Sequence, residues 1–233
     1  MKKISTFLKE LFFVPKCAVC GGEPDDHEDG VLCRVCRNRY ENEKNLRCGV
    51  CHRHYRECDC RPEFASMYIQ NYLRVAHYRE DRVAGKLVLA AKDRAHRPLN
   101  DFLAGEMAEA VKARGVQAQV ICYIPCSDES YRKRGFDHGK QLAQALGRKL
   151  DLPIVDCFVR KSGKAQKDLN ARQRLENAKN SLSCQKKAAS LIKDRHVLLI
   201  DDIMTTGASA LVASVHLDEM GAKTVDFVSF SGR

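Results

Sequence analysis

The sequence contains no run of about 18 consecutive apolar residues, the length that a membrane-spanning helix needs, so it predicts no membrane insertion. The first 16 residues are partly apolar, but Lys9 and Glu10 interrupt them and no small-residue cleavage site follows, which argues against a secretory signal. Without export, the predicted location is cytoplasmic. Paired cysteines in that reducing compartment bind metal more often than they form disulfides.

The sequence is neither poor in apolar residues nor extreme in net charge, so its composition does not predict disorder. The 233 residues are 44% hydrophobic and 30% charged, as in ordinary globular proteins. Forty Lys and Arg against thirty Asp and Glu give a formal charge of +10, which favours polyanionic partners such as nucleic acid or phosphorylated small molecules. Residues 1–60 carry only +1 of this charge and the rest +9, so the basic excess belongs to the second part of the chain.

Eight of the twelve cysteines fall before residue 61. They form two quartets with short internal spacings: Cys17, Cys20, Cys33 and Cys36, then Cys48, Cys51, Cys58 and Cys60. Each quartet can supply the four tetrahedral ligands of a structural Zn²⁺ ion, which leaves no position for a catalytic water. His52 or His54 could compete as a ligand in the less regular second quartet, and an iron–sulfur cluster is an alternative. The metal could serve folding alone or shape an interaction surface.

After Met67 the chain alternates short apolar runs with helical patterns. Helices are predicted around Val83–Ala91, after a cap at Asn100 or Asp101, over Leu142–Leu150 and over Ala208–Met220; strands are predicted over Val120–Ile124, Ile154–Val159, Val197–Ile200 and Thr224–Phe230, with strands or an irregular hairpin over Tyr68–Tyr78. This alternation predicts an α/β fold with a parallel sheet flanked by helices. We expect a double zinc ribbon over residues 1–62 and the α/β domain over 63–233, with ligands at the carboxyl ends of the strands.

The sharpest motif follows the strand Val197–Ile200. Two carboxylates, Asp201 and Asp202, come at its end, and a turn of small hydroxyl residues and glycine then opens into a helix. Backbone N–H groups at such a helix start can bind a phosphate, aided here by five residues: Thr205, Thr206, Gly207, Ala208 and Ser209. The carboxylates would face ribose hydroxyls or Mg²⁺. The alternative is that they cap the helix and the turn is structural.

The segment 201–209 resembles the phosphoribosyl pyrophosphate motif of type I phosphoribosyltransferases. Together with the predicted double zinc ribbon, it makes the chain resemble the ComF family of competence proteins from Cys17 to Phe230. The resemblance implies a type I phosphoribosyltransferase-like domain that binds phosphoribosyl pyrophosphate with Mg²⁺. It places Arg132, Arg134 and Gly135 at the pyrophosphate, although a solvated basic turn is the alternative, and it places Lys164 and Gln166 in a flexible hood.

The sequence departs from the family pattern at four positions. Asp137 stands where Asn is usual and His138 where Gln is common, while Gly163 and Lys161 replace a Thr and an Arg of the hood. Asp137 brings an anion to the predicted pyrophosphate site. His138 could be a titrating group, but we expect a histidine early on a helix to be a surface residue.

The resemblance implies a role in natural transformation and DNA uptake but leaves the chemistry open. If the protein is a glycosyltransferase, Asp201, Asp202, Lys164 and Gln166 act at the reacting centre, and the acceptor is unidentified. Alternatively, the chain is a non-catalytic, zinc-containing adaptor that binds single-stranded DNA or a competence helicase. Mg²⁺-dependent binding of phosphoribosyl pyrophosphate and release of pyrophosphate separate these hypotheses.

Overall fold

Seven strands are present in the part of the chain that the computed structural model describes, residues 15–24, 30–161 and 169–233. They are β1 (Ile69–His77), β2 (Val120–Tyr123), β3 (Ile154–Val155), β4 (Phe158–Arg160), β5 (Leu182–Cys184), β6 (His196–Met204) and β7 (Thr224–Gly232). Five of them form a parallel sheet in the order β1-β7-β6-β2-β3. Strands β4 and β5 pair antiparallel in a separate two-stranded sheet.

The helices of the same described ranges cover the parallel sheet. They are α1 (Arg34–Lys44), α2 (Val83–Asp93), α3 (Arg97–Ala113), α4 (Asp128–Arg134), α5 (His138–Leu150), α6 (Ala171–Ser181), α7 (Ala189–Ile192) and α8 (Ala208–Glu219). None of the helices within these ranges is long and apolar enough to cross a bilayer. The predicted fold class is confirmed: a parallel sheet flanked by helices, with an N-terminal module whose cysteine clusters are compatible with zinc.

Strand β6 shows why the sheet is buried on both faces. Successive side chains of a strand point to opposite faces. Leu198 and Ile200 accordingly enter one core cluster with α2, α3 and α5, whereas Val197 and Leu199 enter a second cluster with α8. Near-continuous apolar runs, rather than alternating ones, are what a two-sided parallel sheet requires.

Two of the predicted strand segments need correction. The segment Tyr68–Tyr78 is no hairpin, because one strand, β1, pairs parallel with β7 along its length. The predicted strand Ile154–Val159 divides into β3 and β4, which belong to different sheets. Between them Asp156 accepts hydrogen bonds from the Tyr123 hydroxyl and Lys140 Nζ, each at 2.8 Å, which fixes the turn.

The start of α3 also differs from the prediction. The helix begins at Arg97, where the His96 ring nitrogen Nδ1 accepts a hydrogen bond from the Leu99 backbone at 3.3 Å. Pro98 occupies the first turn, where its missing N–H has no helical partner to lose. Asn100, one of the two predicted caps, is buried inside the helix and donates to the Gln141 side chain at 3.1 Å.

The first cysteine segment packs onto the main core. Val31, Leu32 and Tyr40 are fully buried in the same cluster as β1, α2 and α3. The Glu43 carboxylate at the end of α1 accepts hydrogen bonds from the Val83 and Ala84 backbone N–H groups, both at 3.0 Å, at the start of α2. Helix α1, which the sequence patterns missed, therefore caps the first helix of the α/β fold.

Candidate functional site

The segment from Thr205 to Ser209, called the 205–209 loop below, joins β6 to α8. Gly207 has a φ of +82°, in the left-handed region that favours glycine, and its carbonyl accepts from the Leu211 N–H at 2.8 Å. Helix α8 begins at Ala208, as predicted. Its first turn thus offers backbone N–H groups that have no partner within the helix, together with the positive end of the helix dipole, the arrangement that binds phosphate.

Two arginines contact the hydroxyl groups of this loop. Arg160, at the end of β4, donates to Ser209 Oγ at 2.9 Å, and Arg174, in α6, donates to Thr205 Oγ1 at 3.4 Å. Arg174 is also held by a bond from its Nε to the Leu169 carbonyl at 2.9 Å. Burial lowers the pKa of Arg160, but an arginine keeps its charge far above neutral pH. Two cations therefore lie where the loop would receive an anion.

Sequence reasoning assigned neither arginine to this loop. Arg160 and Arg174 are far from residues 205–209 along the chain, and the antiparallel pair β4–β5 together with α6 carries them to the loop. The sequence carries one signal for Arg174, because Arg174 and Asn177 resemble an Arg-x-x-Asn pattern that follows the hood in the ComF family. Lys164 and Gln166, the predicted hood residues, lie outside the described residues.

The two carboxylates do not follow the strand end as predicted, because β6 continues to Met204. Strand alternation therefore directs Asp201 and Asp202 to opposite faces of the sheet. Asp202 faces α2 and α5, and Asp201 lies on the face that carries Arg160. The Asp201 Oδ1 atom accepts a hydrogen bond from the Asp202 backbone N–H at 2.8 Å.

Asp202 is a buried, ion-paired carboxylate. Lys92 Nζ, from α2, lies 2.9 Å from its Oδ1, and His138 Nε2, from α5, lies 3.4 Å from its Oδ2. Burial opposes ionisation, but Lys92 and His138 outweigh it and lower the pKa of Asp202. Desolvation likewise opposes the charge of Lys92, and Asp202 raises the pKa of that amine above its ordinary value. The sequence patterns did not identify Lys92, because it lies about 110 residues from Asp202.

Asp201 has the opposite electrostatic environment. Burial and the neighbouring Asp202 charge raise the pKa of Asp201 to about 7, although Lys92 and Arg160 act against this rise. Burial and a neighbouring negative charge disfavour the ionised form of a carboxyl group, and a bound cation or hydroxyl donors stabilise that form. Asp201 therefore fits Mg²⁺ or a ribose diol, whose oxygen chemistry matches a half-buried carboxylate.

His138 is not the surface residue that the sequence predicted. Its side chain is 2% exposed, and neither ring nitrogen has a hydrogen-bond partner among the described residues. Burial lowers the pKa of His138, although the neighbouring Asp202 carboxylate acts against this shift. The reason is the position of α5, whose first turn packs against the carboxyl end of β2: a Cβ on Gly139 would lie 2.5 Å from the Ile124 carbonyl oxygen.

The residues predicted at the pyrophosphate lie at the end of α4. Arg132 and Arg134 lie in its last turn, and Gly135, with a φ of +77°, ends the helix. Asp137 caps α5 by accepting from the Lys140 N–H, and it also accepts from the Cys126 N–H, both at 3.2 Å. The Asp137 carboxylate, the additional anion of this chain, therefore stabilises the turn through these two hydrogen bonds.

The end of α4 lies at the same edge of the sheet as Asp201 and Asp202. Strand β2 lies beside β6, and the Ile124 N–H donates to the Ile200 carbonyl at 3.1 Å. Arg134 is close enough to His138 to lower the pKa of that imidazole. Arg132 is exposed to solvent. The fold thus brings Arg134, Asp202 and the 205–209 loop to one edge of the sheet.

Both cysteine quartets are assembled. Within each quartet all four sulfurs lie within 4.8 Å of one another, and His52 and His54 belong to neither group. Four sulfurs around one zinc ion at 2.3 Å are about 3.8 Å apart. The sulfur pairs Cys20–Cys33, Cys48–Cys60 and Cys51–Cys58 are 3.6, 3.9 and 3.5 Å apart.

The turns that carry the cysteines also provide backbone N–H groups, which donate hydrogen bonds to the cysteine sulfurs. The Val50 N–H donates to Cys48 Sγ and the Cys60 N–H to Cys58 Sγ, each at 3.4 Å. Against the opposing effect of burial, backbone donors lower the pKa of Cys17 and of Cys48 to about 6, whereas burial raises the pKa of Cys36 and of Cys58. The spacing and the donors fit a tetrahedral thiolate-bound metal at both sites.

Comparison with known proteins agrees with this geometry. Residues 133–232 match the family model described as phosphoribosyl transferase domain. Adenine phosphoribosyltransferase of Stochomys longicaudatus is 37% identical over 98 residues, which are 41% of this chain and 49% of that protein. Residues 133–232 are therefore similar to phosphoribosyltransferase domains.

Two competence proteins are also similar to the chain. Competence protein F of Haemophilus influenzae is 29% identical over 109 residues, 46% of this chain and 47% of that protein. Competence protein ComFC of Streptococcus pneumoniae is 32% identical over 107 residues, 44% of this chain and 43% of that protein. The chain spans about half the length of the curated relatives it matches. The resemblance to the ComF family is thus confirmed.

Proposed function

We propose that this protein is a ComF-like protein of DNA uptake that binds phosphoribosyl pyrophosphate together with Mg²⁺ in the cytoplasm. The observation that carries this proposal is the 205–209 loop at a helix start with two arginines on its hydroxyls. Such a site favours a phosphate monoester, because both the backbone N–H groups and the guanidinium groups donate to phosphate oxygens. The names of the competence relatives support the role in DNA uptake.

Each part of the ligand has a matching part of the site. Residues Thr205, Thr206, Gly207, Ala208 and Ser209 bind the 5′-phosphate with Arg160 and Arg174. Asp201 accepts from the ribose hydroxyls or binds Mg²⁺, while Lys92 and His138 hold Asp202 beside it. Arg132, Arg134 and Gly135 bind the pyrophosphate, and Mg²⁺ would neutralise part of its charge when bound.

Two structural zinc ions belong to the same proposal. The two cysteine quartets hold one ion each, and they define a zinc-binding segment over residues 1–62 that precedes a phosphoribosyltransferase-like domain over 63–233. Four thiolates complete each coordination shell, so the ions stabilise the fold and supply no catalysis.

A second candidate function is a non-catalytic adaptor that holds a phosphorylated ribose, such as the end of single-stranded DNA, and docks a helicase. The ion pair of Asp202 favours it, because a carboxylate already neutralised by Lys92 has less charge left for a metal ion. Transfer chemistry would in addition need Lys164 and Gln166 to exclude water from a ribosyl-cation-like centre. Release of pyrophosphate from the bound ligand separates transfer from binding alone.

Calorimetry with phosphoribosyl pyrophosphate and Mg²⁺ tests the proposal. Arg174→Gln removes one cation from the 205–209 loop and should weaken binding at least about tenfold, since a charge-assisted hydrogen bond contributes roughly 1.5–3 kcal/mol. Arg172→Gln is the matched control, because Arg172 lies on the same helix with its side chain 90% exposed. Absence of binding to the wild type, or equal affinities for the two variants, would overturn the proposal.

A further inference from the structure

The segment Arg61–Ser66, called the strap below, runs from the second cysteine quartet to β1 across the back of the 205–209 loop. The Phe64 N–H donates to the Thr206 carbonyl at 2.8 Å. A Cβ placed on Gly207 would lie 2.7 Å from Pro62 Cγ and 2.8 Å from the Phe64 carbonyl oxygen. Gly207 is therefore required both for its backbone conformation and because the strap leaves no space for a side chain.

The carboxyl end of the strap is held by α8 and β1. Ser66 is 1% exposed, and its hydroxyl accepts from Ser214 Oγ, on α8, at 2.6 Å. The Ser66 N–H donates to the Tyr72 hydroxyl, on β1, at 2.6 Å. The strap thus contacts the helix whose first turn forms the anion site, in addition to the loop itself.

The amino end of the strap is held by the cysteine quartet. Arg74, on β1 and 3% exposed, donates to Cys58 Sγ at 3.0 Å and to the Cys60 carbonyl at 2.8 Å. Its other terminal nitrogen donates to the Arg233 carbonyl at 2.9 Å. A Cβ on Gly232 would lie 2.5 Å from Arg74 Cδ, so the arginine crosses β7 where only a glycine fits. The position of Cys58 and Cys60 is therefore tied to the sheet through one buried cation.

We propose that the metal ion of the second quartet positions the 205–209 loop through the strap, so that loss of this ion, and not of the other, loosens the anion site. Only three residues separate Cys60 from Phe64, too few to absorb a rearrangement of the quartet. The Cys58 sulfur also accepts a hydrogen bond from the Arg74 guanidinium. This hydrogen bond is lost when the four cysteines of the quartet move apart. The first quartet, in contrast, contacts the core through α1 and contributes no residue to the strap.

The inference rests on the zinc sites of the proposed function but does not require a bound sugar phosphate, because amide exchange reports on the loop directly. Hydrogen exchange of a peptide covering residues 205–211 is measured in the full chain, with metal content determined on the same samples. Cys51→Ser should lose about one of two ions and speed exchange of this peptide at least about tenfold. Cys20→Ser, in the first quartet, should lose one ion and leave exchange of the peptide within about threefold.

Two further variants keep the inference testable if Cys51→Ser fails to fold. Cys51→His retains a zinc ligand, so both ions and the wild-type exchange rate should be retained. Phe64→Pro removes the N–H that donates to Thr206 while all cysteines stay, so it should retain both ions and still show the fast exchange. Phe64→Ala, which keeps that N–H, is its control and should exchange within about threefold of wild type.

The result that overturns the inference is equal exchange of the 205–211 peptide in Phe64→Pro and Phe64→Ala, or equal acceleration by Cys20→Ser and Cys51→Ser. Binding of phosphoribosyl pyrophosphate provides the second measurement, in which Phe64→Pro should weaken affinity at least about tenfold relative to Phe64→Ala. If the wild type binds no phosphoribosyl pyrophosphate but the exchange pattern is as expected, the proposed ligand is wrong and the control of the loop by the second quartet stands.

Discussion

The raised pKa of Asp201 predicts that Asp201→Asn stabilises the ligand-free protein while it weakens binding. In the unfolded chain this carboxyl ionises near pH 4, whereas burial and the Asp202 charge raise its pKa to about 7 in the folded protein. Between these two values the folded state binds more protons than the unfolded state, so the free energy of unfolding falls as pH rises. The penalty is complete above pH 7.

The magnitude follows from the same two pKa values. A difference of about three pH units corresponds to a ceiling of about 4 kcal/mol. Because the side chain is only half-buried, solvent screens part of this penalty, and we expect a gain of about 1–2 kcal/mol in Asp201→Asn at pH 8. Asparagine does not titrate, so the gain should shrink toward zero near pH 4.

Urea unfolding of the ligand-free chain at pH 8, 6 and 4.5 measures this gain, and the m-value checks that both proteins unfold alike. Asp156→Asn is a control of opposite sign, because Lys140 and Tyr123 outweigh the effect of burial and lower the pKa of Asp156. That variant should lose stability at pH 8 and approach wild type as the carboxyl protonates below pH 4. A loss of stability in Asp201→Asn at pH 8, or a gain that is constant with pH, would refute the reasoning.

Four other predictions follow from the site and its surroundings. Lys92→Met leaves buried Asp202 without its ammonium partner and should cost about 2–3 kcal/mol of unfolding free energy at pH 7, whereas Lys86→Met, at an exposed position of the same helix, should cost under about 0.5 kcal/mol by urea unfolding. Elemental analysis should find about two zinc ions per chain, and iron or a value near zero contradicts the quartets. Single-stranded DNA binding, measured by fluorescence anisotropy, should fall steeply with added salt, because the +9 charge of residues 61–233 acts through counterion release; salt-independent binding contradicts this. Lys164→Ala with Gln166→Ala should leave affinity for phosphoribosyl pyrophosphate within about tenfold in calorimetry yet abolish any pyrophosphate exchange, and an unchanged exchange rate removes the hood from the reaction.

Local patterns were sufficient for much of this fold. The apolar run Val197–Ile200, the turn of hydroxyl residues and Gly207, and the helix from Ala208 are adjacent in the chain, so their geometry depends on neighbours that the sequence displays. The cysteine quartets could also be predicted from the sequence, because short spacings alone place two metal ligands on one tight turn. The same applies to the parallel sheet, since two-sided burial leaves unbroken apolar strands.

The electrostatic character of the site was decided only by the tertiary structure. Strand β6 continues past its apolar run, which separates Asp201 and Asp202 onto opposite faces. Lys92 and His138 then lie against Asp202, at 2.9 and 3.4 Å, whereas Asp201 is affected by Lys92 as a nearby charge that does not outweigh burial and the Asp202 charge. One carboxylate consequently has a lowered pKa and its neighbour a raised one. No local pattern contains this difference, because it depends on which helices cover each face of the sheet.

The contacts of the 205–209 loop were decided in the same way. The sequence by itself determined that a glycine turn would open a helix after a buried strand, since that requires only neighbouring residues. It did not determine that Arg160 and Arg174 would donate to the loop, or that Pro62 and Phe64 would lie against Gly207. Those contacts join residues 31 to 145 positions apart, and they form because the sheet, its helices and the cysteine quartets pack together as one structure.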